Sequence, residues 1–136
     1  MILCSGAFDG LHAGHIRYLE AAKQLCLEGE ELWCAVAPDS YIRQTKQREP
    51  HWSQTERLAT VCALRLVDYG WSQRSETIAA LVRFVAPRLV VKGEDWIDRV
   101  PTDVIKACDE IGCEIRFVHT PGRHVSEAIG VTDATQ

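Results

Sequence analysis

The chain has 136 residues, of which 46% are hydrophobic and 25% charged, and its formal net charge is −4. These values suit one soluble domain over residues 1–136 with a sizeable core, and the acidic balance argues against a broad nucleic-acid-binding surface. No apolar run is long enough to span a membrane, and the short apolar start lacks the basic lead-in of a signal peptide, so the expected location is the cytoplasm. Six cysteines lie singly at Cys4, Cys26, Cys34, Cys62, Cys108 and Cys113, with no C-x-x-C pair. They read as small packing residues rather than as a structural zinc site.

In chain order, "MILCSGAF" reads as a buried first strand. A helix is expected from Gly14 to Cys26, with Ile16, Leu19, Ala22 and Cys26 at helical spacing and Gly29 as its stop. "ELWCAVA" is the second strand, and the polar stretch from Pro38 to Pro50 reads as a loop. Ser53 and Glu56 form a capping box for a helix through "QTERLATVCALR". "LVDYG" is a third strand. Ser75 is expected to cap a helix through Val85, with Pro87 beyond its end. "RLVV" is a fourth strand, Thr102 or Asp103 opens a helix that Gly112 ends, and "EIRFV" is a fifth strand. A last short helix is expected after Arg123.

Alternating strands and helices imply right-handed crossovers and a parallel sheet covered on both faces. The expected fold is α/β: a small Rossmann-like doubly wound sheet of five strands. Ligands of such folds bind beyond the carboxyl ends of the strands.

The loop after the first strand reads "GAFDGLHAGH". Gly6 and Gly10 allow tight turns, and Gly14 leaves the start of the helix open to a ligand. A helix N-terminus offers unsatisfied N–H groups and partial positive charge, which suit phosphate. His12 and His15 are three apart, which places both imidazoles on one side of a first helical turn. Two histidines alone also fit a metal pair or a capped turn at the surface. No third ligand of the usual kind lies nearby, and neither common phosphate fingerprint is present.

"GAFDGLHAGHIRYLEAAK" resembles the opening H-x-G-H motif of the cytidylyltransferase-like nucleotidyltransferases. "RLVDYG" and "APRLVVKGEDW" resemble later segments of that family, the second in the form found in the adenylyltransferase domain of ADP-heptose synthases. Glycerol-3-phosphate cytidylyltransferases are similar too. The resemblance implies that a phosphate oxygen of one substrate attacks the α-phosphorus of a nucleoside triphosphate and releases pyrophosphate. It implies ATP or CTP as donor, with Mg²⁺, and a small phosphorylated metabolite as acceptor. A homodimer, with no nucleic acid or membrane as partner, is expected.

By that resemblance His12, His15, Lys46 and Lys92 carry the chemistry. Gly6, Ala7, Phe8, Asp9, Gly14, Gly93 and Asp95 join His15 and Lys92 in holding the nucleotide. Asp9 is expected to orient the loop or to help hold Mg²⁺, and Arg48 and Arg57 join it in binding the acceptor. Trp96 matches the aromatic position that follows Asp95. Where the family carries Ser-Thr-Thr, this chain reads "GRHVSEAIG". Gly122, Arg123 and Ser126 are the expected nucleotide contacts there, with only Ser126 keeping a hydroxyl. The lysine of "VKGEDW" favours AMP transfer from ATP to a sugar 1-phosphate. CTP with glycerol 3-phosphate, or a non-catalytic nucleotide-binding module, is the alternative.

Overall fold

The computed structural model describes residues 1–120. Strands β1 (Ile2–Gly6), β2 (Leu32–Val36), β3 (Tyr69–Ser72), β4 (Leu89–Gly93) and β5 (Glu114–Val118) form one parallel sheet in the order β3-β2-β1-β4-β5. They are joined through helices α1 (Ala13–Gln24), α2 (Asp39–Lys46), α3 (Gln54–Cys62), α4 (Ala79–Val85) and α5 (Thr102–Ile111), with a short 3₁₀ turn at Glu94–Trp96.

Period-two alternation along the strands divides the core into two layers. Ile2, Cys4, Cys34, Val36 and Val91 meet Leu19 and Ala22 of α1 and Val61 of α3. Leu3, Ala35 and Val90 meet Val82 of α4 and Val104 and Ala107 of α5 on the other face. This is the doubly wound, Rossmann-like sheet that the alternation of elements implied. Cys4, Cys34, Cys108 and Cys113 are buried packing residues, whereas Cys26 is half-buried and Cys62 is exposed. Among the described residues no helix is long and apolar enough to cross a membrane.

The order of the strands creates a cleft. After β3 the chain returns to the far side of β1, so the direction of strand addition reverses between β1 and β4. β1 shares five residue pairs with β2 but only Ile2↔Leu89 and Leu3↔Val90 with β4. Past those two pairs the carboxyl ends of β1 and β4 part. Tyr18 of α1 bridges the gap: its hydroxyl accepts from the Ser5 N–H at 3.3 Å and donates to the Val91 carbonyl at 2.5 Å.

Several local expectations are corrected. Residues 38–50 are not all loop, because α2 occupies most of them. Only Ile42 of that helix is buried, so it carries almost no apolar period. Its acidic first turn at Asp39 and basic last turn at Arg43 and Lys46 suit the helix dipole instead. The third strand lies three residues later than expected: Leu66 and Val67 pack into the core, and Asp68 accepts the Leu32 N–H at 2.8 Å. Ser75 does not cap α4, which starts at Ala79 behind Ile78 without a side-chain cap. α1 ends at Gln24, and Gly29 instead supplies a positive φ of 77° in the following turn. The Ser53–Glu56 capping box and the Gly112 stop are present as expected.

Candidate active site

A cavity of about 440 Å³ opens at the carboxyl ends of the strands, above the parting of β1 and β4. Its floor is the loop after β1. Strand β1 stops at Gly6, and Phe8 takes a positive φ of 51° that buries its ring. A Cβ on Gly6 would sit 2.9 Å from that ring, so the close approach requires glycine. Gly6, Ala7, Phe8 and Gly14 all line the cavity.

His12 and His15 join the floor to α1. His12 is the N-cap, and its Nδ1 accepts from the Gly14 N–H at 3.0 Å. Nδ1 of His15 accepts from the His12 N–H at 3.2 Å, which closes a reciprocal capping box made of two imidazoles. Because both Nδ1 atoms accept, each neutral ring carries its proton on Nε2. The ring centroids are 4.0 Å apart, and both rings line the cavity. Burial, with the nearby charges of His12 and Lys46, lowers the His15 pKa from 6.5 to about 4. At neutral pH His15 is therefore a neutral hydrogen-bond donor. The two rings that cap the turn also line the cavity.

Lys92 stands across the cleft at the end of β4. It is buried, with Nζ donating to Ser5 Oγ at 2.8 Å and lying 4.6 Å from the centre of the Trp96 ring. Burial draws its pKa down from 10.5 to about 8, against the opposing pull of Cys4, Asp95 and Cys34. Trp96 thus forms a face on which the ammonium rests. Next to it, a Cβ on Gly93 would lie 2.7 Å from an Asp95 carboxylate oxygen, so a side chain there would push Asp95 aside. Gly93 and Asp95 line the cavity.

Asp9 is committed to protein donors. Its carboxylate takes Arg48 Nη1 at 2.7 Å, the His51 N–H at 2.9 Å and the Trp52 N–H at 3.0 Å. Burial pushes its pKa up, but the hydrogen bonds from His51, Arg48 and Trp52 outweigh that and hold it below the ordinary value. Of the two roles expected for Asp9, these contacts serve the first, the orientation of the loop. Lys46 and Arg48 line the cavity at its rim. Arg57 does not line it. Its guanidinium is fully buried and donates to the carbonyls of Trp52, Ala7 and Ala37 at 2.8–2.9 Å and to Asp39 at 2.6 Å. It anchors the floor from beneath. Gly122, Arg123 and Ser126 lie outside the described residues.

The cavity wall also contains residues that sequence reasoning missed: Tyr18, Tyr41, Gln73 and Glu76. Tyr18 was detectable, because it follows His15 by three on the same helical face. The others lie on α2 and on the segment between β3 and α4, which carry no motif.

The cytidylyltransferase-like family model matches residues 3–128. A bifunctional protein HldE of Coxiella burnetii is 38% identical over 97 residues, 71% of this chain and 20% of that protein. A FAD synthase of Thermococcus onnurineus is 40% identical over 95 residues, 69% of this chain and 61% of that one. The chain thus spans about a fifth of the length of its bifunctional relatives. A solved structure, the lipopolysaccharide core biosynthesis protein of Thermoplasma volcanium, superposes with a TM-score of 0.71 at 28% identity, covering 87% of this chain and 95% of that one. With the H-x-G-H pair at the start of α1, the parted β1 and β4, and a family match over nearly its whole length, the chain belongs to the cytidylyltransferase-like family of nucleotidyltransferases.

Proposed function

We propose that this domain transfers AMP from ATP to the phosphate of a small phosphorylated metabolite such as a sugar 1-phosphate. The observation that carries this reading is the pair of imidazoles at the N-terminus of α1, lining one cavity with Lys92. An acceptor phosphate oxygen attacks the α-phosphorus. The bond from that phosphorus to the oxygen bridging to the β-phosphorus breaks, and its electron pair leaves with pyrophosphate. Nε2–H groups of His12 and His15 donate to phosphate oxygens as charge develops there. Lys92, and Lys46 at the rim, supply positive charge. These are positioning and electrostatic contributions, which suit phosphoryl chemistry.

Mg²⁺ is part of the proposal as an ion that enters with the triphosphate and offsets its charge. Asp9 is engaged by three protein donors, so Asp95 is the carboxylate beside Lys92 that would help hold it. In this reading the ion is held mainly by the triphosphate. The FAD named in one relative carries an AMP unit, which supports ATP over CTP as the donor. A cytoplasmic homodimer is part of the same reading.

The test is pyrophosphate release from each of the four nucleoside triphosphates against a panel of sugar and polyol phosphates. Release with ATP and a sugar 1-phosphate is expected. Release with CTP and glycerol 3-phosphate would move the substrate pair. Tight nucleotide binding without release for any acceptor would make the domain a binding module.

A further inference from the structure

The cavity has two unlike ends. Toward β1 and β4 its lining carries the two imidazoles and Lys92, which suit anionic oxygen, with Lys46 and Arg48 at the rim and the Asp9 and Asp95 carboxylates held beside Arg48 and Lys92. Beyond the carboxyl ends of β2 and β3 the character reverses. Glu76, on the segment between β3 and α4, lines the cavity with Tyr41 of α2. One of its carboxylate oxygens, Oε2, accepts the Ser40 hydroxyl at the start of α2. The other, Oε1, is enclosed and has no hydrogen-bond partner among the described residues. An enclosed carboxylate oxygen without a donor is costly. The terminal torsion of a glutamate is broad and two-fold, so the carboxylate can turn toward a ligand in the cavity that it lines.

A phosphate or carboxylate group would be repelled there. A hydroxyl supplies the missing donor. We propose that Glu76 reads the hydroxyl groups of the acceptor and sets its specificity. The acceptor lies with its phosphate toward His15 and Lys92 and its hydroxyl-bearing carbons toward β2 and β3. Acceptors with a second anion at the far end are excluded by the Glu76 charge. As a reaction this rests on nucleotidyl transfer as proposed above; as a binding site it stands without it.

The experiment compares the wild type with Glu76→Gln, which keeps the shape and the Ser40 contact, in pyrophosphate release from ATP. With glycerol 3-phosphate and a hexose 1-phosphate, KM is expected to rise roughly 10- to 100-fold, the usual range for losing a charged hydrogen-bond partner. KM for ATP and use of ethyl phosphate, which has no hydroxyl, stay unchanged, and 3-phosphoglycerate becomes a better acceptor. Equal acceptor kinetics in the two proteins would overturn the proposal. Glu76→Asp, which keeps the charge with a shorter reach, is expected to raise the polyol phosphate KM yet still exclude 3-phosphoglycerate. It carries the test if Glu76→Gln does not fold. If the wild type releases no pyrophosphate with any acceptor, the transfer reaction is refuted and thermal shift decides on Glu76. Stabilisation by glycerol 3-phosphate in the presence of ATP, seen in the wild type and lost in Glu76→Gln, supports it. Stabilisation equal in both, or absent from both, overturns it.

Discussion

His12 and His15 hold each other's place in the first turn of α1: Nδ1 of His15 accepts the His12 N–H while Nδ1 of His12 accepts the Gly14 N–H. Each ring is therefore both a cap and a positioned donor, and the two roles are separable by substitution. Asparagine is among the best N-caps. His12→Asn is expected to melt near the wild type and to lose roughly 10²–10³ in turnover, the usual effect of removing one transition-state donor. His12→Ala should lose the same turnover and about 1 kcal/mol of stability besides. Melting curves and pyrophosphate release measured on both variants check this. His15→Ala with normal turnover would remove that ring from the mechanism.

The depressed pKa of His15 makes a signed prediction. Folded, the ring titrates near 4 rather than 6.5, chiefly because it is buried. The unfolded chain therefore takes up the proton first as pH falls. The stability tied to a neutral His15 is fully present above about 6.5 and is lost as the pH drops toward 4. Urea unfolding at pH 7, 6 and 5 should show this loss, and His15→Asn should flatten it.

Much of this was legible in the sequence. The glycine-rich turn, the H-x-G-H pair and the apolar strand ending in Lys92 are local signals, and all three arrive at one cavity. Arg57 was legible as a matching position but not as a buried anchor, because its four acceptors come from Trp52, Ala7, Ala37 and Asp39, and only the fold brings these together. Helix α2 hid for a different reason. With Ile42 as its one buried residue it has no apolar stripe to read. Glu76 escaped because its position depends on α4 starting at Ala79, which frees the preceding segment to form a wall.

Lys92 is a buried cation whose proposed role in the cavity opposes its effect on stability. Its pKa falls to about 8 in the fold, mainly through burial, so the folded state holds this cation at a cost below pH 8. The sign follows from linkage: the associated stability is present above the unfolded value of 10.5 and lost as pH falls through 8. Lys92→Met should therefore raise stability at pH 7 by roughly 1–3 kcal/mol, after allowing for the lost Ser5 contact. The same variant should lose most of its turnover. A melt that falls with Lys92→Met would show that the Ser5 and Trp96 contacts outweigh desolvation.

Arg57→Lys tests the anchor beneath the floor. The guanidinium fork reaches three carbonyls and a carboxylate, a geometry that a single ammonium does not reproduce. At least one buried carbonyl is left without a donor, at about 1–3 kcal/mol. A lower melting temperature is expected. Because Arg57 does not line the cavity, ligand affinity measured well below the melt should change far less than stability.

Asp9→Asn separates loop orientation from metal binding. The wild-type carboxylate receives three protein hydrogen bonds that tie residues 48–52 to the cavity floor. An amide has one oxygen to offer and turns two N–H donors toward groups that are themselves donors. The Arg48 ion pair and at least one backbone hydrogen bond are expected to be lost, and hydrogen exchange at His51 and Trp52 should accelerate. If Asp9 acts only through this loop, substrate KM rises while the Mg²⁺ concentration for half-maximal activity stays at its wild-type value. A shift of roughly tenfold or more in that Mg²⁺ requirement would instead return Asp9 to the metal, since loss of a direct carboxylate ligand weakens binding of a hard cation that has few protein ligands.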